Sequence, residues 1–336
     1  MYTGAQAAPF NSNESIGSVT ILVTSTTPSR PLRIATRKSA LALWQAREVQ
    51  QRLRALDVPS ELIEMSTRGD EILDTPLAKI GGKGLFIKEL QKGMLQGHAD
   101  LAVHSMKDLP AEFPESLHLS VVLDREDPSD ALVSNNYKSL DELPQGAVVG
   151  TCSLRRQCQL KYLRSDLTMK DLRGNVNTRL KKLDEGQFDA IVLASAGLIR
   201  LGMSDRIAMR LPLESMLPAC GQGIVGIECK VSDDATNAAL AALHDRDAFD
   251  RVTCERSLNA RLGGSCTTPI ASYSELEGDQ LYLRAMVGMP DGSALLRASG
   301  RASRTDAYAL GNHVAEKLLD DGADRIIASF QGNAKT

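Results

Sequence analysis

Four polar side chains within five residues follow a short apolar segment near residue 100. The apolar segment is Leu101 to Val103, and the polar residues are His104, Ser105, Lys107 and Asp108. In open α/β sheets, ligands bind just beyond the carboxyl ends of strands. A carboxylate beside an ammonium group in that position can move a proton or stabilise a cation. A surface turn with an ordinary ion pair fits the same spacing equally well.

A basic stretch in an otherwise acidic chain forms the second candidate site. The chain has 336 residues and a formal net charge of −3. Nine Lys or Arg residues lie from Arg155 to Lys182, opposed only by Asp166 and Asp171, so this stretch is +7 and the remainder −10. Such a concentration of positive charge predicts a site for an anionic ligand. For any single Arg, the alternative is a solvated helix face.

The six cysteines favour neither a metal centre nor a disulfide framework. They contain no C-x-x-C pair, and the five histidines show no metal-ligand spacing, so we expect no metal. A chain of this length buries a full core without disulfides, which predicts reduced thiols and a cytosolic location. Three cysteines fall in predicted strands or helices and pack as small core residues: Cys158, Cys229 and Cys254. The other three lie in predicted loops: Cys152, Cys220 and Cys266.

Strands and helices alternate over the first two thirds of the chain, which predicts an α/β fold with parallel sheets. One predicted strand runs into His104. Another, Val148 to Gly150, precedes the segment 151–153, which caps a helix. A βα turn that opens a helix is a ready anion site. Gly197 is placed in the loop after a later strand.

The two ends of the chain differ from this pattern. Residues 1–29 contain no Lys or Arg and are rich in Ser, Thr and Asn, which predicts a disordered extension rather than a targeting segment. Residues from about 270 to 298 predict an antiparallel meander, and a helix follows it. No apolar run approaches the roughly 20 residues of a membrane span.

Six segments resemble the hydroxymethylbilane synthase family, also called porphobilinogen deaminases. They occur in order from about residue 31 to the C-terminus, without large gaps. Each is moderately specific, and six in order are very specific. They are RIATRKS (33–39), LAKIGGKGLF (77–86), VHSMKD (103–108), GTCSLRR (150–156), LRGNVNTR (172–179) and LPACGQG (217–223).

The resemblance implies an α/β fold of three domains. Two resemble the lobes of type II periplasmic binding proteins, and the third is a small α+β C-terminal domain. Domain 1 comprises residues 30–123 with 224–242, because the strand after Gly223 returns to it. Domain 2 is 124–223, and domain 3 is 243–336.

The resemblance also implies the activity. The family joins four porphobilinogen molecules head to tail, releases ammonia at each joining step, and frees hydroxymethylbilane with water. A dipyrromethane cofactor, held by a thioether to one cysteine, primes the chain. The match places that cysteine at Cys266, where two preceding glycines give room. Cys152, at a helix start that favours a thiolate, is the competitor.

By resemblance, Asp108 is the catalytic carboxylate that stabilises the cationic azafulvene and shuttles the pyrrole proton. His104 is an orienting residue, and Phe86 packs over the site. The residues implied to bind the cofactor are Cys266, Ser105, Lys107, Lys83, Thr151, Ser153, Arg155, Arg156, Arg173 and Gly197. Those implied to bind substrate are Arg37, Ser39, Phe86, Arg179, Arg200 and Gln222. Arginine suits such ligands, since its fork binds a carboxylate through two hydrogen bonds.

Two rival functions fit parts of the pattern. A solute-binding module on the same two-lobed fold would also line its cleft with basic residues, but it needs no reactive cysteine. Nucleic-acid binding is weaker, because Tyr162 is the only aromatic residue in the basic stretch. We therefore expect porphobilinogen as the partner of a monomer that binds neither nucleic acid nor membrane.

Overall fold

The computed structural model describes residues 30–66, 87–110, 112–265 and 267–331. The predicted extension 1–29 lies outside these ranges. Within them the chain forms three β-sheets flanked by helices, a mixed α/β fold with a small C-terminal domain. None of the helices in these ranges is long and apolar enough to cross a membrane.

The first sheet carries the segment that ends at Asp108. Its described strands, in spatial order, are β2 (Ser60–Met65), β1 (Leu32–Arg37), β3 (Leu101–Ser105), β10 (Val225–Lys230) and β4 (Leu117–Val122). Strand β1 is parallel to β2 and β3, whereas β10 is antiparallel to β3 and β4. The packed helices are α1 (Ala40–Ala55), α2 (Lys88–Leu95) and α6 (Asp234–Leu240).

The second sheet carries the basic stretch. Its described strands, in spatial order, are β7 (Thr168–Lys170), β6 (Val148–Gly150), β8 (Ala190–Ala194), β5 (Asp130–Val133) and β9 (Met209–Arg210). Its helices are α3 (Leu154–Leu163), α4 (Val176–Asp184) and α5 (Ser195–Arg200). The prediction that Gly197 lies in a loop is wrong, because the chain enters α5 directly after β8.

The prediction of parallel sheets is also wrong. Strand β5 is antiparallel to β8 and β9. Strand β10 crosses back from the second sheet and enters the first in the opposite direction to β3. Both sheets are mixed for this reason, and alternation of strands and helices along the sequence does not reveal such a return.

The third sheet is the predicted antiparallel meander. Its strands are β11 (Ile270–Glu277), β12 (Gln280–Gly288) and β13 (Leu295–Ser303). Helices α7 (Arg246–Arg261), α8 (Ala307–Asp320) and α9 (Ala323–Gln331) pack on it, and α9 was not predicted. Their apolar faces share one buried core with β12.

A buried ion pair joins the three units. Arg125, on the connection from β4 to β5, donates from Nη1 to Glu255 Oε1 at 2.6 Å and from Nη2 to Oε2 at 3.2 Å. The two side chains are 2% and 0% exposed. Glu255 lies on α7 and also accepts hydrogen bonds from Gly221 N at 2.7 Å and Ser274 N at 2.9 Å. One carboxylate therefore ties both chain crossings to the C-terminal domain.

Replacing Glu255 with glutamine is expected to lower the free energy of unfolding by about 3–5 kcal/mol, because the buried Arg125 guanidinium loses its counter-charge. Urea unfolding followed by circular dichroism measures the change. Glu316→Gln is the matched control, since it removes an exposed partner of Arg261 on the same helix α7. Equal unfolding midpoints for the two variants would contradict this role of Glu255.

Candidate active site

Asp108 lies on a short turn directly beyond the end of β3. A single 3-10 turn, Met106–Asp108, follows the strand and is anchored by the buried Met106 side chain. Leu109 has φ −74° and ψ 133°, the extended conformation that a following proline favours. The buried strand thus ends in a half-buried Ser105 and an exposed Asp108. This is the position at the carboxyl end of a strand that the sequence predicts.

Several predicted site residues line one small pocket beside this turn. Ser105 Oγ accepts a hydrogen bond from Gln45 Nε2 on α1 at 2.8 Å. Ser39 caps α1, where its hydroxyl accepts from Ala42 N at 3.4 Å. The polar residues of the pocket wall are Arg37, Ser39, Gln45, His104, Ser105 and Asp108. The ends of β1 and β3 and the start of α1 therefore converge at this point.

Lys107 points toward the second sheet. Its Nζ donates to Gln222 Oε1 at 3.4 Å. Burial, together with the charges of Arg156 and Arg155, lowers the Lys107 pKa to about 8, although Asp108 and Asp130 act in the opposite direction. The amine therefore loses its positive charge near pH 8, about two units earlier than an exposed lysine.

Arg155 and Arg156 share a buried carboxylate. Asp130, the first residue of β5, has no exposed surface and accepts from Arg155 Nη1 at 2.6 Å and from Arg156 Nη2 at 2.7 Å. Arg155 also donates to Leu217 O at 2.8 Å, and Arg156 to Val192 O at 2.8 Å. The guanidinium charges hold the Asp130 pKa well below its usual range, against the opposing effect of burial. Both arginines are thus held rigidly at the start of α3.

The turn before α3 has the predicted form, with one difference. Ser153 is the residue that precedes the helix, but its side chain makes no hydrogen bond to the first turn. Instead, the buried Thr151 hydroxyl accepts from Ser153 N at 3.2 Å. The Ser153 hydroxyl therefore remains available at a helix N-terminus, where anions bind.

Arg179 brings the two sheets together electrostatically. Its Nε donates to Gly174 O at 2.7 Å. Burial lowers the Arg179 pKa, and the charges of Cys152, Arg156, Asp108 and Arg173 also act on it. Asp108 from the first sheet thus lies within electrostatic reach of arginines from the second sheet.

Arg200, Gly197 and Gln222 lie where the two units meet. Arg200 Nη2 donates to Gly223 O at 2.7 Å, and its guanidinium lies over the Trp44 ring, 5.5 Å from the centroid. A Cβ on Gly197 would lie 3.5 Å from Leu41 Cδ2 on α1. Gln222 is 1% exposed, and its Nε2 donates to Pro128 O at 2.7 Å. Their contacts in the structure are structural, and their roles in binding substrate or cofactor stay predictions.

Lys83, Phe86 and Cys266 lie outside the described residues. Helix α7 leads to the loop that contains Cys266, and Arg256 on this helix donates to Pro110 O at 2.7 Å, two residues after Asp108. Gly264 is required in that loop, because a Cβ there would lie 2.0 Å from Asn259 Oδ1. The helix before Cys266 is thus bonded to the turn that carries Asp108.

The other loop cysteines differ in their surroundings. Burial and the Glu255 charge raise the pKa of Cys220 to about 12, which makes it a poor nucleophile near neutral pH. Cys152 is half-buried on the turn before α3. Cys158, Cys229 and Cys254 have no exposed surface, which confirms their prediction as packed core residues.

Sequence reasoning missed three polar residues that hold the site. Gln45 orients Ser105, and Asp130 holds both arginines. Glu228 on β10 lies 3.0 Å from His104 Nε2, and both side chains are buried. The shortage of acidic residues between Arg155 and Lys182 was the one available signal, because buried arginines need a counter-charge from elsewhere.

Together these features define a class: an α/β protein with a cationic cleft between two sheets, suited to a small molecule bearing several carboxylates, with an exposed carboxylate beside it. The family model "Porphobilinogen deaminase, dipyromethane cofactor binding domain" matches residues 32–238, and "Porphobilinogen deaminase, C-terminal domain" matches residues 249–320. The chain therefore belongs to the porphobilinogen deaminase family. Its function is that of hydroxymethylbilane synthase, a transferase of tetrapyrrole biosynthesis that uses a dipyrromethane cofactor.

Solved structures similar to this chain include three bacterial-type binding domains. The methionine-binding protein MetQ is 14% identical, with a TM-score of 0.42, and the match covers 65% of this chain and 92% of MetQ. A nutrient-binding protein from Burkholderia cenocepacia bound to methionine is 13% identical, with a TM-score of 0.40 and coverage of 62% and 90%. The VFT2 domain of BvgS from Bordetella pertussis is 16% identical, with a TM-score of 0.41 and coverage of 67% and 91%. None of these matches bears on the activity of this chain.

Proposed function

We propose that Asp108 is the catalytic carboxylate of this synthase. Loss of ammonia from porphobilinogen leaves a cationic azafulvene, which a fixed carboxylate stabilises. The position of Asp108 carries the proposal, since its carboxylate is exposed at the pocket beyond β3 and makes no hydrogen bond to the described residues. The same carboxylate takes up the proton that leaves the pyrrole carbon after the new bond forms.

The cationic residues opposite Asp108 suit the carboxylates of the substrate and of the dipyrromethane. Each guanidinium has five N–H donors, and Arg155 and Arg156 each use three on described partners. Two N–H groups on each therefore remain for a ligand. The residues we assign to the cofactor carboxylates are Ser105, Lys107, Lys83, Thr151, Ser153, Arg155, Arg156 and Arg173, with Gly197 close to them. When bound, the dipyrromethane supplies the terminal pyrrole to which substrate is joined.

Substrate is assigned to the pocket side of the same cleft. The residues are Arg37, Ser39, Phe86, Arg179, Arg200 and Gln222. Arg37 and Ser39 line the pocket with Asp108, which supports their part in the assignment. Ser39 is placed by its capping bond to α1, and so it can meet a carboxylate without reorganisation.

The cofactor is assigned to Cys266. Helix α7 supports this assignment, because it leads into the Cys266 loop and Arg256 bonds it to the Asp108 turn. The domain division, with 30–123 and 224–242 as domain 1, 124–223 as domain 2 and 243–336 as domain 3, rests on the three sheets. We further infer a cytosolic monomer that does not bind nucleic acid.

The direct test is product formation. Purified protein incubated with porphobilinogen should release one ammonia for each porphobilinogen consumed and form hydroxymethylbilane, identified by mass spectrometry. Reversible binding of porphobilinogen without release of ammonia would instead identify a solute-binding module.

The Lys107 amine should set an alkaline limit on substrate capture. Its pKa of about 8 means that the charge is present below pH 8 and lost above it. If a substrate or cofactor carboxylate needs that charge, kcat/KM should fall above about pH 8, by up to about tenfold per pH unit. Lys107→Arg keeps a charge at every working pH, and so its profile should lack this fall. The same alkaline fall in wild type and Lys107→Arg would exclude Lys107 as its source.

A further inference from the structure

The carboxylate of Asp130 is the most heavily hydrogen-bonded acidic group in the described cleft. It accepts from Arg155 at 2.6 and 3.3 Å, from Arg156 at 2.7 and 3.0 Å, and from Gln222 Nε2 at 3.1 Å. Because Asp130 has no exposed surface, substrate cannot contact it. An unpaired charge there would be strongly unfavourable, so the carboxylate and both guanidinium groups form one unit.

We propose that Asp130 is a positioning residue for the carboxylate-binding cluster: it fixes the guanidinium groups of Arg155 and Arg156 and, through Gln222, the amine of Lys107. The proposal rests on the function assigned above. It adds a residue from the second sheet that never touches substrate but determines how substrate carboxylates are met.

The first part of the proposal concerns orientation. Asp130 holds one side of each guanidinium, while Leu217 O and Val192 O hold a second point on Arg155 and Arg156 respectively. Held at two points, each plane presents its remaining N–H groups in fixed directions. A fixed donor binds a carboxylate without the entropy cost of ordering a free side chain.

The second part concerns charge across the two units. Gln222 Nε2 donates to Asp130, and Gln222 Oε1 accepts from Lys107 Nζ at 3.4 Å, so one amide connects β5 with the Asp108 turn. The charged groups that act on Lys107 are Asp108 on its own turn, Arg155 and Arg156 on α3, and Asp130 on β5. Removal of the Asp130 charge leaves Lys107 facing two uncompensated guanidinium groups. Less of the amine is then protonated at a given pH.

The test compares Asp130→Asn with Asp166→Asn. Asp166 also pairs with an arginine, Arg164 at 2.8 Å, but on a turn outside the cleft. The first readout is the pH dependence of trace acetylation of Lys107 by acetic anhydride, followed by peptide mapping. We expect the Lys107 midpoint to fall in Asp130→Asn and to stay at the wild-type value in Asp166→Asn.

The second readout is kinetic. Asp130→Asn should lower kcat/KM for porphobilinogen at neutral pH by at least about tenfold, mainly through KM, and move its alkaline limb to lower pH. If Asp130→Asn does not fold, Asp130→Glu keeps the charge and displaces the carboxylate by one methylene. We then expect a raised KM with the alkaline limb retained.

The outcomes separate the two claims. A Lys107 midpoint and KM equal to those of Asp166→Asn, or a wild-type KM in Asp130→Glu, would overturn the positioning role and leave Asp130 a purely structural ion pair. Failure of the wild-type protein to consume porphobilinogen would overturn the assigned activity instead. The acetylation midpoint would still report on Asp130, since it needs no turnover.

Discussion

Asp108→Asn is expected to reduce porphobilinogen consumption about a thousandfold or more. Asparagine keeps the shape of the side chain but removes the charge that stabilises the azafulvene, and a loss of about 4 kcal/mol in transition-state stabilisation corresponds to that factor. The fold should be retained, because Asp108 is exposed and holds no described partner by a hydrogen bond.

Steady-state release of ammonia measures the effect. Glu112→Gln is the control, since it removes an exposed carboxylate from the segment that follows the same turn. The control should behave as wild type. Near-normal turnover in folded Asp108→Asn would remove Asp108 from the catalytic role.

Cys266→Ser is expected to abolish activity altogether. A serine oxygen does not form the thioether, so the protein would lack the primer on which the product is built. The purified variant should have the mass of its sequence alone. We expect it to fold, because the ion pair Arg125–Glu255 and the α7–β11–β12 packing lie outside the loop.

Cys152→Ser is the matched variant for this prediction. Cys152 lies on the turn before α3, within electrostatic reach of Arg179, and is the competing thiol. The adduct should remain in Cys152→Ser. An adduct retained in Cys266→Ser but lost in Cys152→Ser would reverse the assignment.

The parts of the site that lie close together in sequence were predictable. The change from apolar Leu101–Val103 to polar residues locates the end of β3, and the glycine and small polar residues of 150–153 locate the start of α3. Such signals depend on local periodicity and on the residues that open helices. The predicted strand positions agree with the structure for this reason.

Contacts between distant segments were not predictable. Asp130 precedes Arg155 by 25 residues and lies on another strand of the sheet, so nothing in its neighbourhood suggests its partners. Glu255 and Arg125 are separated by 130 residues. The return of β10 into the first sheet came only from the family resemblance, because a single strand carries no mark of the sheet it joins.

The same limit explains the error at Gly197. Glycine after a predicted strand favours a loop, yet here the glycine allows α5 to approach Leu41 on α1. A tertiary contact, rather than a turn, accounts for the residue. Arg200, one turn further along α5, likewise meets Trp44 and Gly223 across the same junction.

The most direct test of this account is the intact mass of the purified protein, followed by mapping of its peptides. The account predicts a protein heavier than its sequence by one dipyrromethane, with the added mass on the peptide that contains Cys266. An active enzyme with the unmodified sequence mass, or with the added mass on the Cys152 peptide, would contradict it.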